Sequence, residues 1–156
     1  MEPDLRVIRL CVELGFVRPE TIVRCADAVI EAEQSPDPIF YDLALVEHKR
    51  DAEILDLLED FRDASADPAT WEKVLRWVAE KVRAGELDVP HVVRRIWALA
   101  SAGHPNEDLS LAFSILEDQC DLARDRIYGS LSDVRINLLE TLDRFGVTGA
   151  LAKVAG

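Results

Sequence analysis

Asp67-Pro68-Ala69-Thr70-Trp71-Glu72-Lys73-Val74-Leu75-Arg76-Trp77-Val78-Ala79-Glu80-Lys81-Val82-Arg83-Ala84-Gly85 is a stretch that reads as a complete helix. An aspartate before a proline marks a helix start: the carboxylate can accept from first-turn amides, and the N–H that proline lacks would have had no partner there. Trp71, Val74, Leu75, Val78 and Val82 recur at three- and four-residue spacing, one face of a 3.6-residue helix, and Gly85 supplies the stop.

The same grammar extends towards the C-terminus. Asp88-Val89-Pro90 starts a helix with the face Val92, Val93, Ile96, Trp97, Leu99 and Ala100, which stops at Gly103. Beyond the break His104-Pro105-Asn106, a long helix carries Leu109, Leu111, Ala112, Ile115, Leu116, Leu122, Ala123 and Ile127 to about Tyr128. Its rhythm lapses near Gln119, and Gly129 closes it. Ser132-Asp133 caps a last helix with Val134, Ile136, Leu138, Leu139, Leu142 and Phe145, leaving residues 147–156 as a frayed tail.

Towards the N-terminus, residues 4–14 form a helix that ends before Gly15, and Pro19 opens a second with the stripe Ile22, Val23, Ala26, Val29 and Ile30. Ser35-Pro36-Asp37-Pro38 breaks the chain. A third helix runs from about Ile39 to Glu47, and a fourth, after His48-Lys49-Arg50, carries Ile54, Leu55, Leu57, Leu58 and Phe61. No segment alternates with period two between turn signals, so the expected fold is all-α, with about eight helices in a single domain spanning 1–156.

The halves share a plan, giving pseudo-repeats of about 1–66 and 67–146. Gly15-Phe16-Val17-Arg18-Pro19 parallels Gly85-Glu86-Leu87-Asp88-Val89-Pro90, and Asp42-Leu43-Ala44-Leu45 parallels Asp108-Leu109-Ser110-Leu111. Two tandem four-helix repeats would stack as a HEAT- or armadillo-like unit, an architecture that builds binding surfaces more often than pockets; a compact bundle is the alternative.

With 156 residues, 49% of them apolar, the chain can bury roughly 68–70% of its unfolded surface and needs no disulfide or metal staple. Cys11, Cys25 and Cys120 lack CxxC spacing and sit among apolar neighbours, as core thiols in a reducing cytoplasm do. Met1-Glu2-Pro3-Asp4 does not resemble the start of a signal peptide, and no apolar run reaches the ~18 residues of a membrane span. A net charge of −12 repels phosphate backbones and anionic headgroups, so neither nucleic acid nor membrane is expected as a partner.

Catalytic chemistry finds little footing. His48, His91 and His104 lie in or beside breaks, and GxSxG, GxxxxGK[ST], GxGxxG and HExxH are all missing from the sequence. Asp118, Asp121 and Asp125 could present three carboxylates to a divalent cation if the acidic fourth helix supplied more oxygens, which defines an alternative, a helical metal-dependent enzyme. Arg124 and Arg126 beside them favour a solvated charged face, so the chain is read as a non-enzyme without cofactors. Trp71 and Trp97 fall on core stripes, whereas Trp77 stands next to one and is open to a partner.

Charge is unevenly distributed. Residues 27–63 hold twelve acids against Lys49, Arg50 and Arg62, while residues 67–156 hold fourteen acids and eleven bases. A field concentrated in this way steers a basic protein partner. On the fourth helix, Asp56, Glu59, Asp60 and Asp63 should form one exposed docking sector, with Leu55, Leu58 and Phe61 in the core and Trp77 as a further contact.

In its organisation, and in Gly15-Phe16-Val17-Arg18-Pro19-Glu20 at the start of its second helix, the chain resembles all-helical bacterial toxin-immunity proteins and other bacterial helical families. That resemblance implies a non-catalytic protein that neutralises a basic toxin, often a nuclease, by covering its active site; it carries over no individual functional residue.

Overall fold

The computed structural model describes Met1 and residues 3–152. Among them stand eight α-helices and one 3-10 segment, with no strand. The all-α expectation therefore holds. The chain packs as two compact units, Met1–Ala64 and Ser65–Gly156.

The first unit contains α1 (Leu5–Leu14), α2 (Pro19–Ala32), α3 (Ile39–Leu43) and α4 (Asp51–Leu57). Asp4 caps α1 by accepting from the Arg6 N–H at 2.9 Å, and Gly15 ends it at φ 74°, where a side chain would be strained. Seven of the ten α1 residues are buried, whereas α2 buries only Ile22, Ala26 and Val29. α3 stops four residues short of the expected Glu47. From Asp42 onward the turns close by i→i+3 bonds, Leu45 N–H to Asp42 O and Val46 N–H to Leu43 O, which turns Phe40, Leu43 and Val46 inward at three-residue spacing.

The fourth helix is also shorter than its stripe suggests. Arg9, 8% exposed on α1, donates from Nη1 to the carbonyls of Leu55 at 2.7 Å and Leu58 at 3.3 Å, and from Nε to Glu13 Oε1 at 3.0 Å. A guanidinium there satisfies carbonyls that a helix C-terminus leaves open and complements its partial negative charge. The chain continues as the 3-10 segment Glu59–Ala66, broken at Phe61 (φ −109°, ψ 18°). Ile54, Leu58 and Ala64 are fully buried, but Leu55 and Phe61, expected in the core, are only half-buried.

The second unit contains α5 (Pro68–Arg83), α6 (Val89–Gly103), α7 (Glu107–Arg124) and α8 (Leu131–Phe145). α5 packs on α8, α6 on α7, and α7 on α8; in the first unit α1 packs on α4, α2 on α3, and α3 on α4. Three of these pairings correspond between the units, but α6 also packs on α8 with no counterpart of like extent between α2 and α4, and α3 and α4 have 5 and 7 residues where α7 and α8 have 18 and 15. The matching glycines close alike: Gly15 and Gly85 are left-handed, with Phe16 N–H to Cys11 O at 3.2 Å and Glu86 N–H to Lys81 O at 2.9 Å.

Several expectations for this unit change. α7 ends at Arg124, not near Tyr128, because Arg126 turns left-handed (φ 56°) and Ile127 N–H closes on Leu122 O at 2.9 Å. Ser130, not Ser132, caps α8: its hydroxyl accepts from Asp133 N–H at 3.2 Å while Asp133 Oδ2 accepts from Ser130 N–H at 3.1 Å, a reciprocal capping box. Trp71 is fully buried and donates its indole N–H to Ser65 O at 2.7 Å, but Trp97 is 38% exposed, at the margin of its helix's buried face and not inside it.

Another change is the tail. Glu72, 4% exposed on α5, accepts the Gly149 N–H through Oε1 and the Leu151 N–H through Oε2, both at 2.8 Å. Leu151 is fully buried, and Asn106 Nδ2 donates to its carbonyl at 3.4 Å. Residues 147–152 are therefore built into the unit and not frayed; residues 153–156 of that expectation lie outside the described residues.

Candidate functional site

In the first unit, Asp56, Glu59, Asp60 and Asp63 are all exposed, as expected. They do not share one helix. Asp56 is on α4, and the other three follow the break at Leu58. Glu59 pairs with Arg62 at 3.0 Å and Asp63 with Arg6 at 3.2 Å, while Asp56 and Asp60 enter no ion pair among the described residues. The wider surface has the same character: of the twelve acids between Asp27 and Asp63, all but Glu53 are exposed, and among the described residues only Glu53, Glu59 and Asp63 meet a cation. The backbone N–H that Arg50 donates to Glu53 Oε2 at 2.9 Å holds that carboxyl below its usual range.

Trp77 belongs to the second unit, on α5. It is half-buried, with the Lys81 ammonium 5.8 Å from its ring centroid, so its face already has a cation over it.

Asp118, Asp121 and Asp125 do not assemble into a metal centre. Arg124 pairs with Asp121 at 2.6 Å and with Asp125 at 3.8 Å, and Asp125 is already the cap residue beyond α7. Among the described residues, no group of three or more His, Cys, Asp or Glu side chains is arranged to hold a metal ion. His48 and His104 are exposed at separate breaks, and His91 is exposed in the first turn of α6.

The cysteines are free thiols. Burial pushes Cys11 up to about 12; burial, aided by Glu117 and Asp121, pushes Cys120 up to about 11; and burial also raises Cys25. Thiolates, the nucleophilic form, are thus strongly disfavoured at neutral pH.

The sequence reading missed the outer face of α7. Leu109, Phe113, Leu116 and Cys120 form the buried side, while Leu111 (62% exposed), Ile115 (50%) and Leu122 lie on the opposite side in solvent. The expected stripe had merged the two. Around the α7–α8 turn, Ile127 and Tyr128 (80%) are also exposed, and Leu122 and Tyr128 help to line an open cleft of about 550 Å³. Counting apolar residues all the way round α7 would have revealed the second face.

Compared with known proteins, the chain matches no family model, and neither a curated protein nor a solved structure is detectably similar to it. Among the described residues, no helix is long and apolar enough to cross a membrane.

Proposed function

We propose that this chain is a non-catalytic protein-interaction module whose partner is a basic protein. The observation that carries this reading is the first unit's surface, where exposed carboxylates greatly outnumber cations and most are unpaired. Carboxylates satisfied by neighbouring arginines contribute little to an outward field; unpaired ones retain it and accelerate encounter with a positive surface. Neutralisation of a basic toxin, as in the helical immunity proteins the sequence resembles, is the specific form of this proposal, and a neighbouring gene for a toxin with a basic domain would support it.

The structure refines which residues to test. Asp56→Lys with Asp60→Lys alters exposed, unpaired side chains, whereas reversing Glu59 or Asp63 would also set like charges against Arg62 or Arg6. With a captured basic partner, the double variant should retain its helical circular dichroism and associate about 10-fold or more slowly at low salt. Association equally fast for both proteins would leave the acidity with a role in solubility alone.

A further inference from the structure

We infer that the outer face of α7 is a docking surface for an amphipathic, cationic helix of a protein partner. This inference is independent of the first unit's acidic surface. α7 carries apolar side chains on two opposed faces, and its own unit covers only one of them. Leu111, Ile115 and Leu122 stand at i, i+4 and i+11, so the uncovered stripe is about three turns long, roughly 16 Å at 1.5 Å per residue. At its C-terminal end the stripe reaches an open cleft in which Leu122, Tyr128 and Val134 stand beside Gln119, Asp133 and Asn137, a mixed lining that suits the apolar stem and charged head of a Lys or Arg side chain.

The charge around the stripe selects the occupant. Asp118 lies within it, and Glu107 and Asp108 flank its start; all three are exposed, and none enters an ion pair among the described residues. Between Glu107 and Arg126 the chain has six acids and two bases. A helix with Leu-like residues every third or fourth position and Lys or Arg beside them fits both features, packing its stripe side by side on that of α7. A second copy of this chain would bring its own net charge of −12, and an anionic membrane would face the same carboxylates.

The probe is a synthetic Leu/Lys helix of about four turns, titrated into isotope-labelled full-length protein and followed by amide chemical shifts. Shifts should concentrate between Leu111 and Leu131. Affinity should fall about tenfold or more, ~1.4 kcal/mol, in Leu111→Ser/Ile115→Ser, which removes the apolar stripe without adding charge. Asp56→Lys/Asp60→Lys should leave these shifts in place, which separates this test from that of the first unit's surface. Shifts confined to the first unit, equal binding of a Leu/Glu control peptide, or dimerisation in sedimentation that Leu111→Ser/Ile115→Ser abolishes would each overturn the proposal.

Discussion

Gly103 and His104, neighbours at the end of α6, occupy positions whose demands are reversed relative to their chemistry. A Cβ on Gly103 would lie 2.3 Å from the carbonyl oxygen of Ser65, so glycine is required there by close approach. The left-handed cap falls instead on His104, at φ 50°. We expect Gly103→Ala to cost about 1–3 kcal/mol through overpacking, and His104→Gly to gain about 1 kcal/mol by removing the Cβ strain. Urea midpoints at constant slope would measure both. A sequence reader sees glycine near a helix end and infers a stop, which is right in outcome at α6 but wrong in mechanism. At Arg126 the same rule fails outright: a non-glycine residue takes the left-handed turn, so the stop precedes Gly129 by several residues.

At the scale of elements, the proline-marked helix starts and the stripe of α5 were legible, while the cap of α8 and the two faces of α7 were not. Prolines at the first turns of α2, α5 and α6 fix the backbone locally, and the structure begins all three helices there or one residue earlier. Periodicity reports only that an apolar stripe exists. It cannot say which of two stripes the rest of the chain will cover, hence the misreading of α7, nor that an arginine 46 residues away will engage the end of α4. Nor did it mark Glu72, a buried acid inside an otherwise apolar face. We expect Glu72→Gln to cost about 1–3 kcal/mol, since an amide offers only one acceptor to two backbone N–H groups, and Leu151→Ala to cost about 2–5 kcal/mol. Because both substitutions release the same turn, the double variant should lose less than the sum, and a thermodynamic cycle from chemical denaturation would show the coupling.

For the whole molecule, the candidate acidic residues were readable because charge is a property of composition, whereas their division into paired and unpaired groups depends on tertiary neighbours such as Arg6. The thiols yield a pH prediction. An acid whose folded pKa is raised stabilises the fold fully below its unfolded value and loses that contribution as pH rises, because only the unfolded state can readily ionise. Stability should therefore decline above pH 9.0, the ordinary thiol value, towards the folded values of about 12 for Cys11 and about 11 for Cys120. Thermal melts across that range would follow the decline. Thiol titration at mildly alkaline pH should find both cysteines unreactive until denaturant is added, and reducing agent should leave the melting temperature unchanged.

The contact between Arg9 and α4 also bears on how the first unit folds. A helix of seven residues is far below the length that is stable alone in water. Its carbonyl partner Leu55 lies 46 residues along the chain from the guanidinium, so the contact must first close a long loop. α1, with ten residues, is itself marginal in isolation, so both helices depend on the contact that joins them. The short fourth helix is thus held by tertiary assembly, through a buried cation, and not by its own length.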